Sequence, residues 1–189
     1  SSAASVRLTG GHACPPPLVD LWRSSELCDV TVTVAGEAQF TAHKVVLAAG
    51  SRFLHGMLTS RMSDAVAPKL PEVSAEAFTS VLDFFYSGEA TVEEQALPEV
   101  LHAACFLQVE GLQAAAMAEI ARRVGPENAL AVWAMGERQG LEELASKGKQ
   151  AALEHFEELG ASLLASPIEV VQALVSEETL TARSEDAVF

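Results

Sequence analysis

From Asp29 the chain alternates with a period of two, Val30, Val32 and Val34 against Thr31 and Thr33. That pattern predicts a half-buried strand. Ala35-Gly36-Glu37 turns the chain and Gln39-Phe40-Thr41-Ala42 returns antiparallel, which predicts a hairpin. After His43 the period lengthens to that of helices. Residues 44–49 and 51–59 form two short ones broken at Gly50-Ser51, with Val45, Val46, Leu47, Phe53, Leu54, Met57 and Leu58 as apolar positions. Residues 69–73 suit only an edge strand, because Pro71 has no N–H for a ladder. Ser74 then caps a helix whose Phe78, Val81, Leu82 and Phe85 follow the i, i+3, i+4, i+7 spacing and which stops at Ser87-Gly88.

Thr91-Val92-Glu93-Glu94 fits a capping box ahead of a helix carrying Leu97, Leu101, Ala104 and Cys105, with Gly111 as its punctuation. A further helix over 112–124 is halted by Gly125-Pro126, where composition suggests a boundary. Beyond it, 127–136, 141–159 and 167–175 read as amphipathic helices, the last opened by the capping box Ser166-Pro167-Ile168-Glu169. Ser184 starts one more. The chain stops at Ala187-Val188-Phe189, midway through an apolar face, as a segment of a longer protein would. At the other end, the Gly10-Gly11 pair and Pro15-Pro16-Pro17 interrupt any period, so residues 1–17 read as a flexible arm. Pro17 then opens a short helix through Leu18, Leu21 and Trp22. The expected class is α+β: a small β-sheet flanked by a helical cluster over 18–124, then an all-α segment over 125–189.

Composition agrees with this mixture. Apolar residues make up 49% and aromatic ones 6% of the 189 positions, so the core is built mainly of small and aliphatic side chains. Lys and Arg number 12 against 26 Asp and Glu, a net charge of −14 spread over both halves. Nucleic-acid phosphates would be repelled, so no nucleic-acid partner is expected. No apolar run approaches the ~20 residues of a bilayer span, and no basic region followed by an apolar block opens the chain. A soluble protein of the cytoplasm or nucleus, with no membrane partner, is expected. Cys14, Cys28 and Cys105 make an odd count without CxxC spacing and read as reduced thiols.

Catalytic signatures are sparse. The five histidines, His12, His43, His55, His102 and His155, form no HxxxH or HExxH pair, and no glycine pattern suits a phosphate. No cofactor, metal or catalytic residue is therefore assigned, and an enzyme is not expected. Cys105 lies among packing residues. His43, where a strand hands over to a helix, suits a buried imidazole bonded to a backbone carbonyl. Asp29, placed just before an apolar strand, needs a partner if buried, and Lys44 or His43 is nearest by hairpin geometry.

Three ordered strings carry a family resemblance: Leu27-Cys28-Asp29-Val30, then Phe40 through Ala49-Gly50-Ser51 with Phe53 and Met57 after it, then Phe84-Phe85-Tyr86-Ser87-Gly88. Together they resemble a BTB (POZ) domain. Asn128-Ala129-Leu130, Gly136-Glu137, Leu144 and His155-Phe156 resemble the BACK domain that follows BTB in kelch-like proteins, although Ala129 replaces the customary cysteine. Ser184 to Phe189 resembles a later BACK helix, so BACK would be truncated here. The implied organisation is an arm over 1–17, BTB over 18–124 and the N-terminal part of BACK over 125–189.

The resemblance implies a non-catalytic substrate adaptor of a Cullin-3 ubiquitin ligase that homodimerises through BTB. Substrate would bind through a C-terminal region absent from this sequence. Cullin-3 contacts would fall on Met57, Leu58, Met62, Asp64, Tyr86, Glu127 and Asn128. In the Met62-Ser63-Asp64 triplet, Asp64 stands where the family usually has glutamate and is one methylene shorter. Leu18, Leu21 and Trp22 would form the dimer interface, and Asp29, His43 and Lys44 a charged pocket. A transcriptional BTB protein, recruiting corepressor through the dimer groove, is the alternative.

Overall fold

The computed structural model describes residues 4–60, 67–159, 163 and 166–175. The chain divides into two compact units, Ser1–Glu119 and Ile120–Phe189. In the first, β1 (Ser5–Thr9) precedes α1 (Pro16–Arg23), β2 (Val30–Val34) and β3 (Gln39–Ala42). There follow α2 (Lys44–Gly50), α3 (Arg52–Thr59), β4 (Lys69–Leu70), α4 (Ala75–Ser87), β5 (Glu89–Glu93) and α5 (Leu97–Phe106). Helix α6 (Glu110–Arg122) carries the chain across the boundary, and α7 (Ala129–Gln139), α8 (Glu142–Glu154) and α9 (Ile168–Val175) complete the second unit.

The expected hairpin is present, with Val30 opposite Ala42 and Thr33 opposite Gln39. Val30, Val32 and Val34 all point into the core, as the alternation requires. Strand β4 pairs parallel with β2 at the sheet edge, giving the order β3-β2-β4. Pro71 ends it after two residues, since a ring nitrogen cannot extend the ladder. Helix α4 buries Phe78, Val81, Leu82 and Phe85, and the Phe78 ring meets Phe40 of β3 edge-on at 5.3 Å. The Ser74 hydroxyl accepts from the Ala77 N–H, and Gly88 closes the helix at φ 77°, a left-handed conformation that glycine takes without strain.

Three local expectations are corrected. Residues 1–17 are not simply a flexible arm: Ser5–Thr9 is a strand, antiparallel to β5, with Val6 and Leu8 buried. The capping box at Thr91–Glu94 does not form, because Thr91 and Val92 lie within β5, where Val92 and Ala90 complete the same buried face. Gly111 does not break a helix either; it sits in α6, and the break falls at 107–109, where Gln108 adopts φ 55°.

The second unit is a helical hairpin capped by a further helix. Its core gathers Ala129, Leu130, Trp133, Ala145, Ala152, Phe156, Val170 and Leu174. Helices α7 and α8 meet at backbone distance. A Cβ on Gly136 would fall 2.4 Å from the Ala145 nitrogen, and one on Gly148 would fall 2.5 Å from the Trp133 nitrogen. Only hydrogen fits at either place. The expected helix over 141–159 ends sooner, at Glu154, and a single 3₁₀ turn at Phe156–Glu158 brings Phe156 inward.

Candidate functional site: a pinned helical face

The residues singled out from the sequence divide into a buried polar pin and a set of surface positions. His43 is 6% exposed and Tyr86 fully buried, forty-three residues apart in sequence. The Tyr86 hydroxyl accepts the His43 backbone N–H at 3.0 Å and lies 2.8 Å from Nδ1. Having accepted once, the phenol donates its own hydrogen to Nδ1, which leaves the ring proton on Nε2 to bond the Glu26 carbonyl at 3.1 Å. This is the buried imidazole on a backbone carbonyl that the sequence suggested. The pin thereby joins the turn after α1, the β3–α2 junction and the end of α4.

Trp22 completes it, stacked on Tyr86 with centroids 4.3 Å apart and planes 4° from parallel. Burial pushes the Tyr86 phenol up to about 12, and the His43 N–H only partly offsets this. Such a phenol holds its proton and joins segments; it is not poised to lose one. Tyr86 therefore differs from the surface contact expected of it, since its ring and hydroxyl are both engaged within the chain. Trp22 likewise spends one ring face internally and is half-buried.

Asp29, His43 and Lys44 do not share a charged pocket. Asp29 is exposed, and its Oδ1 accepts the Lys44 backbone N–H at 2.7 Å, filling one of the open donors at the start of α2. His43 turns inward instead. Burial raises the thiol pKa of Cys14, Cys28 and Cys105 alike, so all three are held as neutral thiols.

The other positions lie at or near the surface. Met57 and Leu58 are half-buried on the last turn of α3, whereas Leu54 of the same helix is fully buried. Helix α3 is anchored at its start, where the Ser51 Oγ accepts the Leu54 N–H and donates to the Leu107 carbonyl. Arg52 adds an ion pair with Glu110. Met62 and Asp64 fall outside the described residues, as does Ser184 to Phe189. In the second unit Glu127 is exposed. Asn128 precedes α7, but its amide turns backward, accepting from the Gly125 N–H at 2.8 Å and donating to the Arg123 carbonyl at 2.9 Å. It staples the loop rather than capping the helix.

Two features escaped the sequence reading. Val45, an apolar position of α2, is 71% exposed, and Leu27 is 79% exposed. A helix of seven residues has too few turns to show which apolar position faces out, so Val45 gave no local signal. The second is an open cleft of about 970 Å³, bordered by Leu18, Val45, Ala48, Ala49 and Phe85 with Arg52 and Glu110 at one side. Leu18 and Leu21 are both half-buried on α1, and Leu18 borders this cleft. Among the described residues no group of His, Cys, Asp and Glu could hold a metal ion, and no helix is long and apolar enough to cross a membrane.

Comparison with known proteins places these features in context. The family model of the BTB/POZ domain matches residues 18–123. Human Kelch-like protein 2 is 33% identical over 167 residues, covering 86% of this chain, and bovine Kelch-like protein 3 is 31% identical over the same length. The chain spans 28% of the length of these relatives. Among solved structures, the BTB domain of zebrafish PATZ1 is 29% identical with a TM-score of 0.50, covering 56% of this chain and 86% of that one.

Proposed function

The chain belongs to the BTB/POZ family, and from that premise we propose that it is the Cullin-3-binding and self-associating part of a kelch-like substrate adaptor. One observation carries the choice: the likeness to Kelch-like proteins 2 and 3 extends over 86% of the chain, well past the end of the BTB match at residue 123. An adaptor needs a surface, not a reactive group. The end of α3 suits the role, because Met57 and Leu58 keep part of their apolar surface in water while Ser51 fixes the helix behind them. Met62 and Asp64 follow in sequence and would extend that surface. In the second unit, exposed Glu127 and the loop residue Asn128 would be separate candidate contacts. The net charge of −14 favours a basic partner and speeds encounter with it.

Self-association would use the cleft beside α1 and α2. Leu18 and Val45 present apolar surface there, Leu21 would add its half-buried side chain from the same helix as Leu18, and covering apolar surface gains roughly 25 cal/mol per Å² removed from water. Trp22 contributes only its outer ring face, because the inner one is taken by Tyr86. In domain terms we assign BTB to 18–124 and the opening of BACK to 125–189, with substrate held by parts of a longer protein. The compact units divide five residues earlier, inside α6.

Calorimetry with the Cullin-3 N-terminal domain tests the proposal. Binding should be measurable at tens of micromolar, and replacing Met62 and Asp64 together by Ala should weaken it by ~1 to 3 kcal/mol. An absence of heat at that concentration refutes the adaptor reading and turns attention to corepressor peptides at the dimer groove.

A further inference from the structure

The second unit carries a hollow that no role assigned above uses. It has a volume of about 240 Å³ and opens between α7 and α8, lined by buried Trp133, Gly136 and Ala145, by exposed Glu137 and Glu142, and by half-buried Lys149. Gly140, at φ 67°, ends α7 in a left-handed turn, and the chain reverses at once into α8. That reversal sets a carboxylate from each helix on the same hollow.

Its chemistry suits a cation. The face of an indole is electron-rich, two carboxylates stand beside it, and a cation of the chain already lies over it: Lys149 Nζ is 5.6 Å from the Trp133 ring centroid. Glu137 Oε1 accepts the Trp133 indole N–H at 3.2 Å, which fixes the ring and leaves Oε2 for another donor. Lys149 fills the place poorly. An ammonium at 5.6 Å is near the ~6 Å limit of the attraction, and a point charge can neither lie flat on a ring nor bond a carboxylate through two parallel N–H groups. A guanidinium does both.

We propose that this hollow is a docking site for one arginine side chain of a basic partner protein, which lies on Trp133 in place of Lys149 and bonds Glu137 and Glu142. The net charge of −14 favours such a partner. Lys149 is then an internal competitor: it covers the aromatic face until the partner arrives, and lowers the apparent affinity by the share of time it spends there. The site lies within α7 and α8 and depends on neither Cullin-3 binding nor self-association.

Nuclear magnetic resonance of the full chain tests this, with Nα-acetyl-arginine amide as the probe. The chain has two tryptophans, so Trp22→Phe leaves one indole N–H resonance, that of Trp133. It should move saturably, with a half-point in the millimolar range expected of a single side-chain contact. Nα-acetyl-citrulline amide, of the same shape without the charge, should leave it in place. Adding Lys149→Gln removes the competitor and should lower the half-point about two- to fivefold, the value of one exposed cation–π contact. Glu137→Gln with Glu142→Gln, which keeps an acceptor for the indole, should raise it at least about fivefold. The rest of the spectrum, unchanged between variants, excludes unfolding as the source of these differences. An absence of any saturable shift overturns the proposal, as does an equal response to citrulline, or a half-point that stays the same or rises in Lys149→Gln.

Discussion

The two units solve the same problem by different means. The first joins segments far apart in sequence through strands and a buried polar pin, in which His43, Tyr86 and the Glu26 carbonyl satisfy one another. The second has no strand among its described residues and holds α7 to α8 by letting backbones touch at Gly136 and Gly148. In one, specificity lies in matched donors and acceptors, each costly if left alone. In the other it lies in the absence of side-chain atoms. The first should therefore fail when a hydroxyl is removed, and the second when a methyl is added.

Gly136→Leu is the most severe test of that contrast. The new side chain would overlap the Ala145 backbone, and the hairpin should lose more than about 3 kcal/mol. Hydrogen exchange should show 129–159 unprotected while β2, α4 and α5 keep their protection. Loss of protection in the first unit as well would mean that the two fold as one.

Tyr86→Phe attacks the other side. It strands the His43 backbone N–H and Nδ1 in a buried place, and should cost about 1 to 3 kcal/mol in urea unfolding of the first unit. The same phenol supplies a pH signature. With its ordinary value of 10.0 raised to about 12, it stays neutral in the folded chain while the unfolded chain ionises. Stability from this group is complete below about pH 10 and falls as pH climbs through 12, by on the order of 2 kcal/mol. Unfolding measured across that window should lose this decline in Tyr86→Phe.

The smallest effect is expected from Asp29→Ala, which removes an exposed acceptor from the start of α2. A loss of about 1 kcal/mol in urea midpoint is expected, as for a helix cap. No change would show that water replaces the carboxylate without cost.

Local order was largely readable along the chain. The valine alternation located β2, Ser74 and Gly88 bounded α4, and Gly50-Ser51 separated α2 from α3. Strand β1 was missed although Val6 and Leu8 alternate with polar neighbours. Five residues between glycine, serine and proline look like an arm until their partner is known, and β5 lies some eighty residues on. At Thr91 two local signals competed, and the strand prevailed because it buries Val92 and Ala90 beside Val6 and Leu8. The candidate surface was legible only in part. The family resemblance marked Met57, Leu58 and Tyr86 alike, yet α3 leaves the first two half-buried and α4 turns the third into the core.

By itself, then, the sequence determined the family, the α+β class and the positions of most helices and strands, because periods, caps and turn residues act within a few positions of one another. Tertiary structure alone decided that Tyr86 is a pin, that Asp29 serves a backbone amide, that Val45 faces water and that Ser5–Thr9 is a strand laid against β5. Each of those depends on which distant group arrives opposite a given atom, and burial and hydrogen-bond partnership exist only after the segments meet.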